Sequence, residues 1–151
     1  ALRIMDKAEA SNCAIILPVD ATVSFHFAAN SPSFAYGLDA IPPDSMILDV
    51  GPQSTARIHA AIDDAATLVW NGPVGAFELT PFDRGTMVAA KHAAERTKAK
   101  KLVSVAGGGD TVAALNQAGV ASDFTYVSTA GGAFLEWMEG KPLPGVEVLK
   151  A

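Results

Sequence analysis

Short apolar runs that alternate with helix-period segments along the whole chain predict an α/β fold. The expected form is an open parallel sheet with helices on both faces, a Rossmann-like three-layer arrangement built from right-handed βαβ units. Two observations carry this expectation. The apolar runs are nearly continuous rather than alternating, as in strands covered on both faces. Several of them stop at glycine or polar residues just before a helical pattern, as strand ends do in parallel sheets.

Taken in order, Leu2 to Ala10 has helical spacing but no start signal, so the chain reads as entering partway through a larger α/β arrangement. Ala14-Ile-Ile-Leu-Pro-Val19 reads as the first strand. Asp20 to Ser45 breaks the rhythm with Asn30-Ser-Pro32 and Ile41-Pro-Pro43 and reads as a long loop, a length that implies a task or local structure. Further strands are expected at Met46–Val50, Thr67–Asn71, Leu102–Val105 and Phe124–Ser128. Helices are expected at Ser54–Asp64, Pro81–Lys98, Asp110–Ala118 and Gly132–Glu139. Thr80-Pro81 has the form of a cap followed by a first-turn proline. From Lys141 the tail carries Pro142 and Pro144 and should run extended.

The bulk properties narrow the possible functions. The 151 residues are 50% hydrophobic and 18% charged, enough for one domain with a real core and unlike a disordered chain. No apolar run reaches the roughly 18–20 residues that span a bilayer, so a membrane partner is not expected. The first residues lack the basic and apolar regions of a secretory signal. A single cysteine, Cys13, excludes an internal disulfide, suits a reducing, cytoplasmic setting and reads as a small packing residue. The net charge of −5 argues against a nucleic-acid partner. The basic cluster from Arg96 to Lys101 ends a helical pattern and complements its negative pole.

The most informative segment is Leu102-Val-Ser-Val-Ala-Gly-Gly-Gly-Asp-Thr111. A strand that runs through glycines into a helix aims backbone N–H groups at one small volume, at the positive end of a helix, where phosphate is stabilised. Asp110 adds the hard oxygen that Mg²⁺ prefers, and Thr111 adds a donor. The segment is neither a P-loop, which needs Lys-Ser/Thr after its last glycine, nor a dinucleotide loop, which would need glycine at 112. By itself it reads equally as a tight strand-to-helix connection. Two more such loops follow strands: Trp70-Asn-Gly-Pro-Val-Gly-Ala-Phe-Glu78, and Ser128-Thr-Ala-Gly-Gly-Ala133. Three on one rim favour a phosphate-bearing ligand.

Those motifs, with Leu17-Pro-Val-Asp20, Asp49-Val-Gly-Pro52 and the closing Glu139-Gly-Lys…Leu-Pro-Gly-Val146, resemble phosphoglycerate kinase in the same order. The resemblance covers essentially residues 1–151 and corresponds to the later, incomplete part of that enzyme's C-terminal nucleotide-binding domain. It implies reversible phosphoryl transfer between Mg-ATP and 3-phosphoglycerate, giving 1,3-bisphosphoglycerate and ADP. Asn71 would lie near the nucleotide phosphates, Pro73 and Ala76 beside the adenosine, and Glu78 on the ribose hydroxyls. Asp110 would bind the magnesium and Thr111 a phosphate oxygen. Gly107 belongs to the same nucleotide loop. Gly108, Gly109, Gly131 and Gly132 would present amides to the phosphoryl group during transfer.

Such chemistry needs no general base, because a carboxylate acceptor is already ionised at neutral pH. His26, His59 and His92 accordingly lack motif context and read as surface or packing residues, and Trp70 and Trp137 as core. Two departures stand out: Ala130 where the family carries glycine, and Gln53 where a charge is frequent. The family's N-terminal 3-phosphoglycerate domain, with its essential arginine, is not in this sequence, nor is the lysine-bearing segment that completes the nucleotide site. The chain alone is therefore expected to turn over negligibly. A non-catalytic nucleotide-binding or interaction module of the same fold is the alternative reading, and a merely structural remnant a third.

Overall fold

The computed structural model describes residues 1–128 and 131–150. Its elements run α1 (Leu2–Ala10), β1 (Asp20–Ser24), β2 (Phe34–Gly37), β3 (Met46–Val50), α2 (Pro52–Asp64), β4 (Thr67–Asn71), α3 (Arg84–Lys98), β5 (Val103–Gly107) and α4 (Gly109–Gln117). A 3₁₀ turn at Ala121–Asp123, β6 (Tyr126–Ser128), α5 (Gly131–Met138) and α6 (Pro144–Glu147) follow. The predicted α/β class holds. Strands β4, β5 and β6 form a parallel sheet in that order, flanked by helices.

Its core lies where α2, α3 and α4 meet the sheet. Ile62, Leu102, Ala106, Leu115, Val120 and Phe124 pack with Ala90, Ala93 and Ala94 of α3. The alanines matter because small side chains let a helix approach its neighbours closely without voids. His59 of α2 stacks on His92 of α3 with ring centroids 4.4 Å apart, and Nε2 of His92 lies 2.9 Å from Asp63. Both histidines thus serve the helix contact. At the basic end of α3, Arg96 lies against Asp63 and Lys98 against Asp123.

Several expectations need correction. β3 does not join the parallel sheet; it pairs antiparallel with β1, which pairs antiparallel with β2. The supposed loop from Asp20 to Ser45 therefore contains two of the three strands of a second sheet. Ala14–Val19 is not a strand, since an apolar run becomes one only where a neighbour supplies ladder bonds. Ile16 instead faces Ile58, Ile62 and Leu68 across a 320 Å³ cavity beside β4.

α3 starts at Arg84, not Pro81. The Thr80 hydroxyl bonds the Asp83 carboxylate at 3.1 Å rather than a helix amide. The tail is not extended, because Pro144 occupies the first turn of α6, where its missing N–H costs nothing. Trp137 is exposed rather than core; it lines a surface cavity with Pro142, Leu143 and Val146. Cys13 is exposed rather than packed.

Candidate active site

The parallel sheet ends on a level rim. Asn71 pairs in register with Gly107, and Gly107 with Ser128, so the three glycine-bearing segments leave from one edge. Between β4 and α4 they interlock. The Gly72 N–H donates to Oγ1 of Thr111 at 2.7 Å. Gly108, at φ 102°, precedes α4, and a Cβ there would stand 3.4 Å from Oδ1 of Asn71 and 3.5 Å from Oγ1 of Thr111. Only glycine holds that left-handed backbone readily so close to its neighbours. Asn71, Gly72, Gly108 and Thr111 thus form one corner. Thr111 is buried and ties the two loops together, its hydroxyl accepting from Gly72.

Both helices that start on this rim open toward free space. Among the described residues, a Cβ on Gly109, or on Gly132 in α5, would meet nothing within 4 Å. The first-turn amides of α4 have no partner within their helix, and the dipole adds positive potential there. Asp110 sits exposed in that turn. Among the described residues no three His, Cys, Asp or Glu side chains gather into a metal site. A lone carboxylate beside a helix N-terminus nevertheless suits Mg²⁺, which keeps several waters and can take its remaining ligands from a phosphate-bearing molecule. Ala130 lies outside the described residues, so the loop between β6 and Gly131 carries no geometric argument.

The predicted adenosine side lies on the segment between β4 and α3, and that segment is firmly pinned. Nε1 of Trp70 donates to the Gly72 carbonyl at 2.7 Å, the Val74 N–H donates to Oγ1 of Thr86 at 3.0 Å, and the Ala76 N–H donates to the Leu48 carbonyl at 2.7 Å. Phe77 and Phe82 are buried beneath it. Ala76 and Gly75 line a 640 Å³ cavity with Leu17, Leu38, Ile47 and Leu48, mostly apolar and of a size ordinary for small-molecule sites. Pro73 is partly buried and Glu78 exposed. Neither lines that cavity, so the structure joins Ala76 to it without joining them.

Two residues of this region escaped sequence reasoning as site candidates: Leu48, whose carbonyl fixes Ala76, and Asp49 beneath Gly75. The available signal was a charged residue inside an apolar run just before Gly51-Pro52. Asp49 is 3% exposed. Its Oδ2 accepts the Gly85 N–H at 2.7 Å and its Oδ1 the Val50 N–H at 2.8 Å. Burial pushes its carboxyl up to about 6, with the nearby Asp83 charge adding to the rise and the two amides opposing it. Asp20, equally buried, goes the other way. Burial acts to raise it, but the Ser54 hydroxyl and the Gln53 and Ser54 amides outweigh that and hold it below the ordinary value.

Comparison with known proteins decides the family. The family model described as phosphoglycerate kinase matches residues 1–141. The chain belongs to the phosphoglycerate kinase family. It is 86% identical over 150 residues to the phosphoglycerate kinase of Bradyrhizobium diazoefficiens and 87% identical over 150 residues to that of Rhodopseudomonas palustris, covering 99% of this chain and 38% of each relative. The chain thus spans well under half the length of these phosphoglycerate kinases. The solved Coxiella burnetii phosphoglycerate kinase superposes with a TM-score of 0.89 at 38% identity, over 98% of this chain and 37% of that one. The Pyrococcus horikoshii phosphoglycerate kinase superposes with a TM-score of 0.72 at 28% identity, over 88% of this chain and 32% of that one.

Proposed function

We propose that this chain is the later part of the nucleotide-binding C-terminal domain of a phosphoglycerate kinase, and that its rim binds the ATP or ADP of the reversible transfer to 3-phosphoglycerate. The observation that carries the reading is the corner at Asn71, Gly108 and Thr111, set beside an open helix N-terminus bearing Asp110. Backbone amides at Gly108 and Gly109, and at Gly131 and Gly132, bind and orient the migrating phosphoryl group. Asn71 and Thr111 steady the phosphates. Ala76 and Pro73 border the adenosine, and Glu78 accepts from the ribose hydroxyls. Asp110 would hold Mg²⁺, which when bound neutralises phosphate charge. No side chain need remove a proton, since the acceptor is a carboxylate; catalysis rests on positioning and charge stabilisation. The acceptor 3-phosphoglycerate is bound by the family's other domain, so the chain alone is inactive. A soluble, cytoplasmic glycolytic setting accompanies the reading; no helix among the described residues is long and apolar enough to cross a membrane.

Two measurements test it. Calorimetry on the chain should show Mg²⁺-dependent ADP binding. A hybrid, in which this chain replaces the matching stretch of the Bradyrhizobium relative, should turn over 3-phosphoglycerate and ATP within about tenfold of its parent, roughly 1.4 kcal/mol in the barrier. A folded hybrid without turnover would refute the catalytic reading. ADP binding that persists in that case would favour a non-catalytic nucleotide module.

A further inference from the structure

Asp49 occupies a junction that the chemistry above does not use. It lies in β3 next to Leu48, whose carbonyl anchors Ala76, and its carboxylate reaches out of the strand to the first turn of α3. α3 has no side-chain cap of its own, so this carboxylate from another element serves as one. The same group fills the space above two glycines. A Cβ on Gly75 would stand 2.4 Å from Oδ1, and one on Gly85 would stand 2.6 Å from it. Gly75 also holds φ 70° and follows Val74, itself clasped by Thr86 of α3. Strand, nucleotide loop and helix start thus converge on one carboxylate. Asp49 also forms part of the wall of two cavities: the 640 Å³ cavity with Leu48 and Ala76, and a 360 Å³ cavity with Thr22, Thr55 and Arg84.

Resting on the nucleotide reading above, we propose that Asp49 is a positioning residue for the nucleoside: its carboxylate locks the Gly72–Asp83 segment against β3 and α3 and so sets affinity for adenosine. Asp20 is also buried and outside any of the ion pairs among the described residues, but its carboxylate bonds the start of α2, whereas that of Asp49 reaches under the loop that carries Ala76. Among the described residues no ion pair engages Asp49. The charged groups facing it are Asp83 just before α3, Arg84 in its first turn, and Asp20 across the larger cavity from β1. α2 contributes only Pro52 and Thr55 to the shared wall.

Protonation would break the lock in a definite way. A neutral carboxyl keeps one good acceptor, while its other oxygen becomes a hydroxyl that donates and accepts an N–H only weakly. One of the Val50 and Gly85 amides would then be held only weakly, and Gly75 would shift with it. With the carboxyl titrating near 6, the lock is closed at pH 7.5 and opens as pH falls below 6.

The test uses the hybrid, with Mg-ATP kinetics and adenosine as a competitive inhibitor, since adenosine has no phosphate to titrate in this range. Asp49→Asn should raise KM for Mg-ATP about tenfold while kcat changes less than threefold. In the unaltered hybrid the adenosine Ki should rise several-fold between pH 7.5 and 5.5, whereas in Asp49→Asn it should stay flat. An unchanged KM in a folded variant, or a loss in kcat matching the rise in KM, would overturn the proposal by making Asp49 merely structural. If Asp49→Asn does not fold, the unaltered hybrid still decides: a pH-independent adenosine Ki overturns the proposal. A hybrid that folds but shows no nucleotide-dependent turnover, with no Mg-ADP binding by the chain, would remove the nucleotide reading itself and this inference with it. An active hybrid with an unresponsive Asp49→Asn removes this inference alone.

Discussion

The rim of the parallel sheet and the seam between β1, β3 and the starts of α2 and α3 do different work with similar groups. Each brings an acid to a helix N-terminus. At the rim the acid is Asp110, carried by α4 itself, exposed and facing open space. At the seam the acids are Asp20 and Asp49, each buried and each reaching a helix more than thirty residues away in sequence. Asp20 accepts the Gln53 and Ser54 amides at 2.8 and 2.7 Å, while Gly51 leaves no room for a Cβ, which would stand 2.2 Å from the Asp20 carboxyl carbon. A helix end left uncapped invites a ligand; one capped from a distant strand holds the fold together. The difference teaches that an exposed acid can meet a ligand directly, whereas a buried one acts through the segments it ties together.

The comparison breaks first, if it breaks, at Asp20. Asp20→Ala leaves the Gln53 and Ser54 amides without their acceptor, while the Ser54 hydroxyl keeps the Asp20 carbonyl, and should cost about 3 kcal/mol of stability. Urea denaturation of the hybrid measures this, and a loss under 1 kcal/mol would mean that the seam is not a support. Asp110→Ala should do the opposite. Turnover of the hybrid should fall about 100-fold, near 2.7 kcal/mol in the barrier, with the denaturation midpoint unmoved. If stability falls while magnesium-dependent kcat survives, the rim acid is a structural cap after all. Glu78→Ala sharpens the rim further by separating binding from chemistry. It should raise the nucleotide KM about tenfold and leave kcat nearly intact.

The smallest effect is a trend with pH, and it divides the seam itself. Asp20, held below its ordinary value, contributes stability that is full above about pH 4 and lost as pH falls further. Asp49, raised to about 6, keeps its proton in the folded state after the unfolded chain has released it. Its contribution therefore falls as pH rises from about 4 to 6 and is level above that. Denaturation of Asp49→Asn across this window should show a less negative slope of stability against pH than the unaltered protein; identical slopes would place the titration elsewhere.

Much of the rim could be read from residues in sequence. Thr67–Asn71 is a strand as expected, and Gly107 to Thr111 spell out their own turn and helix start, because the causes are local. The seam could not be read this way. Its strands are short, β1 buries the polar Asp20 and Ser24, and β2 leaves Phe34 exposed, so the burial does not follow an apolar alternation. Its caps come from residues that no local pattern connects. Thr80-Pro81 imitates a helix start for the same reason: the sequence shows a local cap, while the fold uses Asp49.

The in-register pairing of Asn71, Gly107 and Ser128 has one more consequence. In a pleated sheet a shift of a single residue turns every side chain to the opposite face. Asn71 meets Gly108, and Gly72 meets Thr111, only while β4 and β5 keep their present alignment. The tolerance of this corner is thus that of the sheet and not of its loops. The apolar packing of Leu102, Ala106 and Phe124 against α3 and α4 acts as the jig that keeps the corner true.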